Sequence, residues 1–126
     1  KPTLNVKGSY EMTIPRIKKL VEKREKDKYY YIGGAFTRDK LDFSKDVIHF
    51  DDLGFKLTSV GPVVGDYSNP YSLREEDFPK IFEEYEKFAV EYADRQLQGD
   101  GFKFFHFMID LNQGPCVIKR ITGCGS

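Results

Sequence analysis

An α+β domain with a mixed or mainly antiparallel sheet and two helices is the fold class that this sequence predicts. Three observations carry it. Strand-like and helix-like segments follow one another in the order β-α-β-β-β-α-β-β, without the regular alternation of a doubly wound parallel sheet. Phe (11) and Tyr (8) are abundant while Trp is absent, an aromatic supply that suits a sheet core. The chain of 126 residues is 40% hydrophobic and 32% charged, the balance of a globular chain rather than a disordered one. No repeat, low-complexity run or linker interrupts it, so one domain is expected over residues 1–126. The ending Gly-Cys-Gly-Ser, directly after a strand-like segment, leaves room for the natural chain to run further.

The first segment, 3–12, alternates Leu4, Val6, Tyr10 and Met12 and reads as a half-buried strand. Thr13-Ile14-Pro15 then opens a helix, with Pro15 in the first turn, where its missing N–H is harmless. Ile14, Ile17, Leu20 and Val21 form its apolar stripe. Its other face is basic, with seven Lys/Arg against three Asp/Glu from Arg16 to Lys28. Segment 28–36 (KYYYIGGAF) reads as a strand. Segments 46–50 (DVIHF) and 55–60 (FKLTSV) read as a hairpin about the turn 51–54, with Gly54 able to take a left-handed conformation.

The stretch 61–72 (GPVVGDYSNPYS) is a long loop for a small domain, and such loops tend to carry function. The second helix, about Phe78 to Gln98, repeats apolar residues at three-four spacing over five turns, which points Phe82, Tyr85 and Phe88 at the sheet. Pro79 fits its first turn, Ser72 and Glu75 match a capping box, and Gly99 ends it. Segment 101–110 (GFKFFHFMID) is apolar on both faces and is expected as a central strand, paired with 116–121 (CVIKRI) through the turn 111–115.

The charges narrow the functions. Twenty basic residues against twenty acidic ones make nucleic acid an unlikely partner, because a nonspecific binder needs an excess of cations to displace counterions. No apolar run reaches the about 20 residues that span a bilayer, so no membrane is expected. Two cysteines do not make a disulfide scaffold; Cys116 and Cys124 read as cytosolic thiols, and the compartment expected is the cytoplasm.

The motifs for nucleotide phosphates, dinucleotides and nucleophilic serine are all missing, and no cofactor is implied. His49, His106, Cys116 and Cys124 lack any recognised zinc spacing, so no metal is expected. The two histidines read as satisfied strand residues. An enzyme would have to draw on His106, Asp110 and Cys116, as a small hydrolase or nuclease.

A non-enzymatic binding module for a protein or small ligand therefore fits best. An immunity or defence-inhibitor role suits the size, the lack of catalytic motifs and the acidic second helix, which holds eight acidic and four basic residues between Leu73 and Leu97. Its adaptable elements are the loop 61–72 and the turn 111–115, and the side chains expected to bind are Tyr67, Asn69, Tyr71, Asn112 and Gln113. Self-association is left open.

Overall fold

The computed structural model describes residues 8–24, 30–109 and 112. The chain divides into two compact units, 1–31 and 32–126. The first carries helix α1 (Ser9–Lys23). This helix starts at Ser9, inside the segment 3–12 expected as a strand, so Pro15 lies within it rather than in its first turn. Residues 3–7 of that segment are outside the described residues. None of α1's residues is buried.

The second unit alternates strand and helix: β1 (Ile32–Phe36), α2 (Phe43–Asp52), β2 (Leu57–Pro62), α3 (Phe78–Leu97) and β3 (Lys103–Phe104). A 3-10 turn at Glu75–Asp77 leads into α3, and a second, Phe105–Phe107, follows β3. The three strands form one sheet in the order β1-β2-β3, and both pairings are parallel. Ile32 sits opposite Thr58 and Phe36 opposite Pro62, while Leu57 sits opposite Lys103.

Among the described residues the protein is thus a mixture of helix and strand, as expected, but with a small parallel sheet where a mixed or mainly antiparallel one was expected, and with three α-helices rather than two. The segment 46–50 accounts for the parallel pairing of β1 with β2. DVIHF belongs to α2, not to a hairpin. Phe43 and Val47 are fully buried and Asp51 is nearly so, whereas His49 faces out. That is a helical spacing, which five residues of apolar sequence cannot distinguish from alternation. Gly54 does take a positive φ of 92°, but it terminates α2, with its N–H donating to the Asp51 carbonyl at 2.8 Å. With a helix between β1 and β2, the two strands can pair in parallel.

The core lies between the sheet and the two covering helices. Phe36, Val60 and Phe104 from the strands meet Phe43 and Val47 of α2, Ile81 and Phe88 of α3, and Phe102. Phe88 is the hub. Its ring lies 5.0 Å from Phe104 edge-on, 5.4 Å from Phe107 in a stack and 6.1 Å from Phe43 edge-on. Offset and edge-to-face pairs at these separations add to the area that the rings bury.

Of the three α3 residues expected to face the sheet, Phe88 is 1% exposed and Tyr85 is half-buried, but Phe82 is 63% exposed. The apolar arc of α3 is wider than the sheet can cover. Segment 101–110 also differs from expectation. It is extended only at Lys103–Phe104 before the 3-10 turn, and β3 lies at an edge of the described sheet rather than at its centre.

At the amino edge of the strands a buried carboxylate joins the elements. Asp51, 4% exposed, accepts from Lys56 at 2.8 Å and from Arg95 at 2.7 Å. Arg95 also holds Asp52 and Glu91, and Lys56 holds Asp100.

Truncating Phe88 to Ala removes the hub and leaves a cavity, so a cost of about 3–5 kcal/mol is expected. Phe82→Ala removes an exposed ring and should cost less than about 1 kcal/mol. Urea titration of the two variants measures the contrast, and similar losses would mean that α3 is rotated about its axis.

Candidate functional site

Parallel strands place their carboxyl ends on one edge, and in open α/β sheets that edge is where ligands bind. Two segments of this protein meet there, the turn 37–40 after β1 and the loop 63–74 after β2. The short β3 ends lower, with Phe104 level with Thr58 near the start of β2.

The loop after β2 is the more built of the two. Its ends are tied together, with Leu73 N–H donating to the Val63 carbonyl at 3.3 Å. Val63 N–H in turn donates to the Phe36 carbonyl at 2.9 Å, carrying the sheet's bonding one residue past β2. Inside the loop, Asn69 N–H donates to the Asp66 carbonyl at 2.9 Å and Ser72 N–H to the Asn69 carbonyl at 3.2 Å. Asn69 Oδ1 accepts the Tyr71 N–H at 3.0 Å, a side-chain turn of the kind asparagine favours. Gly65 lies against Ser72: a Cβ at Gly65 would stand 2.9 Å from the Ser72 hydroxyl, and Ser72 is fully buried. This backbone presents Tyr67, 65% exposed, and Tyr71, 55% exposed.

The turn after β1 holds the loop from the side. Arg38 N–H donates to the Tyr71 carbonyl at 3.3 Å. Its guanidinium pairs with Glu76 at 2.5 Å and with Asp77 at 3.4 Å. Asp77 is buried, and its carboxylate accepts the Arg74 N–H at 2.9 Å. The capping expected of Ser72 and Glu75 is thus performed by Asp77, three residues after Arg74, while Ser72 packs beneath the loop.

After β3, His106 Nδ1 and the Tyr85 hydroxyl share a hydrogen bond of 2.7 Å. Burial holds the imidazole below its ordinary pKa and the phenol above its own, so the pair is neutral near pH 7. The Tyr85 ring rests on Phe43 at 4.7 Å, which ties the pair to the core.

Of the residues expected to bind, Tyr67, Asn69 and Tyr71 stand together on the loop after β2. The Asn69 side chain is exposed, with its Oδ1 accepting the Tyr71 N–H. Asn112 is elsewhere: it lines an open cavity of about 650 Å³ with Tyr92, Gln96, Lys103, Phe107, Met108 and Ile109. Gln113, and the Asp110, Cys116 and Cys124 of the catalytic and zinc readings, lie outside the described residues. His49 sits on α2 and His106 after β3, neither in the regular strand expected. Among the described residues no group of three or more His, Cys, Asp or Glu could hold a metal ion, and no helix is long and apolar enough to cross a membrane.

Sequence reasoning missed Arg38 and Tyr85. Arg38 follows the strand ending at Phe36, a position that marks it only once the sheet is known to be parallel. Tyr85 belongs to the apolar pattern of α3 and carries no separate signal. No protein-family model matches the sequence, and no curated protein matches it.

The neutral His106 gives a pH signature. Its folded pKa lies below its unfolded one, so the unfolded chain binds the proton first. The stability that it contributes is complete above the ordinary imidazole range and is lost as pH falls through that range toward the folded pKa. An NMR titration should place the His106 midpoint below the model-peptide value, and His106→Gln should flatten the stability profile between about pH 5 and 7. A midpoint at or above the model value would contradict the burial described.

Proposed function

We propose that this protein is a binding module whose recognition surface is the loop after β2 at the carboxyl edge of the sheet, and that its activity is capture of a protein or small ligand without turnover. The observation that carries this reading is the pairing of two exposed tyrosines, Tyr67 and Tyr71, with a backbone already tied by its own hydrogen bonds. Tyrosine offers a large contact area with few torsions to freeze, and a loop held before binding loses little further entropy. An immunity or defence-inhibitor protein is one function of this kind. Cytoplasmic residence belongs to the same proposal.

A second reading, a small hydrolase or nuclease drawing on His106, Asp110 and Cys116, is favoured by one observation: a partly buried imidazole, hydrogen-bonded to a phenol, with a lowered pKa. Its nearest described polar neighbour is the Tyr85 phenol rather than a carboxylate.

Immobilised protein, exposed to native lysate with mass spectrometry of the retained proteins and small molecules, separates the two readings. Tyr67→Ala with Tyr71→Ala should abolish specific retention while the thermal midpoint stays nearly unchanged, because both rings are exposed. Gly65→Ala should weaken retention by displacing Ser72 beneath the loop. His106→Gln should retain the same species. A folded His106→Gln protein that loses a turnover activity by about a hundredfold or more, the order of removing a general base, would replace the binding reading with the enzymatic one.

A further inference from the structure

Helix α1 runs for 15 residues, and none of them is buried. No residue of α1 belongs to the aromatic core. An isolated helix of this length is marginal in water. Local support is also thin. No side chain caps the start at Gly8, and Pro15 inside the helix removes a backbone hydrogen bond.

The residues are nevertheless sorted around the axis. At about 100° per residue, Tyr10, Ile14, Ile17, Leu20 and Val21 fall within one arc of about 120°, which Thr13 shares. Tyr10 is 50% and Leu20 55% exposed. Lys18 borders the arc on one side and Arg16 on the other, each about 40° beyond the last apolar residue. Lys19 and Lys23 lie across the helix, and Arg24 follows its last residue. Two carboxylates share the helix, Glu11 and Glu22, both beyond Lys18. None of the five cations makes an ion pair. In the second unit, by contrast, Arg38, Lys40, Lys45, Lys56, Lys87 and Arg95 all pair with carboxylates.

An apolar arc bordered on both sides by unpaired cations asks two things of whatever covers it: apolar depth under the arc and negative charge along both borders. A bilayer with anionic headgroups supplies both. Its acyl boundary takes an apolar face to a depth of about 5–10 Å, while Lys and Arg stems reach the phosphates. Nucleic acid offers no apolar layer of this shape, and a wholly acidic protein face would leave the arc in water. Lying on a bilayer needs no spanning segment, because the about 20 apolar residues are the requirement for crossing one.

We propose that α1 is a peripheral membrane anchor. It lies in the surface of an anionic bilayer, with Tyr10, Ile14, Ile17, Leu20 and Val21 toward the acyl chains and Arg16 and Lys18 at the headgroups. Lys19 and Lys23 remain within roughly one Debye length of the charged surface. This surface is independent of the loop after β2, and the failure of either reading leaves the other standing.

The whole chain is sedimented with vesicles of phosphatidylcholine that contain about one-third phosphatidylserine. Binding should saturate and weaken with salt, and vesicles of phosphatidylcholine alone should bind at least about tenfold more weakly. Arg16→Gln with Lys18→Gln should weaken binding to the anionic vesicles by about tenfold or more. Ile17→Gln with Leu20→Gln should do the same without any change of charge. Both variants should keep the thermal midpoint, because neither touches a buried residue. Equal binding to the two kinds of vesicle, or none to the anionic ones, would overturn the proposal. Binding indifferent to Ile17→Gln with Leu20→Gln would overturn it too, since charge alone would then hold the chain. An acidic protein retained from lysate through α1, with no vesicle binding, would replace the bilayer with a protein partner.

Discussion

The parallel pairing of β1 with β2 is the constraint from which the second unit follows. Two strands that run the same way cannot be joined by a tight turn, so the chain between them must return along the sheet, and α2 is that return. The same requirement between β2 and β3 is met by α3. A right-handed return is nearly universal, and two successive ones along a sheet ordered β1-β2-β3 put both helices on one face. The contacts of Phe43 with Phe88 and of Ser44 with Glu84 between α2 and α3 agree with that placement. The core is therefore a single layer, mostly of aromatic rings, between sheet and helices, with Phe88 against Phe43 of α2, Phe104 of β3 and Phe102 and Phe107 on either side of it.

The two edges of the sheet divide the remaining work. At the amino edge, Asp51 joins the end of α2, the start of β2 and the end of α3 through Lys56 and Arg95. Such a buried carboxylate is costly to leave unpaired, so its cations fix the relative positions of three elements. At the carboxyl edge the chain is held mainly by backbone and turn hydrogen bonds, and aromatic side chains remain at the surface. One edge is built for rigidity. The other keeps exposed tyrosines on a framework that is already ordered, the division expected where a scaffold carries a recognition loop.

Much of this was legible in the sequence wherever a segment was long enough to show its period. The body of α3, its Pro79 entry and its Gly99 exit are where the spacing and breakers place them, and Gly99 takes the positive φ of 84° that an ending glycine allows. The exposed tyrosines of the long loop were legible because Gly, Pro, Asn and Ser around them mark a turn-rich segment. Short apolar runs were not legible. Val47, Ile48 and Phe50 satisfy a strand and a helix equally well, and only tertiary packing decides between them. Phe82 could not be assigned outward because nothing local tells how wide a face the sheet will cover. Arg38 and the pairing of Tyr85 with His106 depend on which strand ends meet, and that is a property of topology rather than of any window of sequence.

The account rests on strand direction, and backbone NMR tests it most directly. With parallel pairing, interstrand NOEs should connect the backbone of Ile32–Phe36 to Leu57–Pro62 in the register that sets Ile32 beside Thr58 and Ala35 beside Gly61, and residues 43–52 should show helical chemical shifts. Extended shifts over residues 46–50, with NOEs pairing them antiparallel to 55–60, would contradict it and remove the shared carboxyl edge on which the proposed site depends.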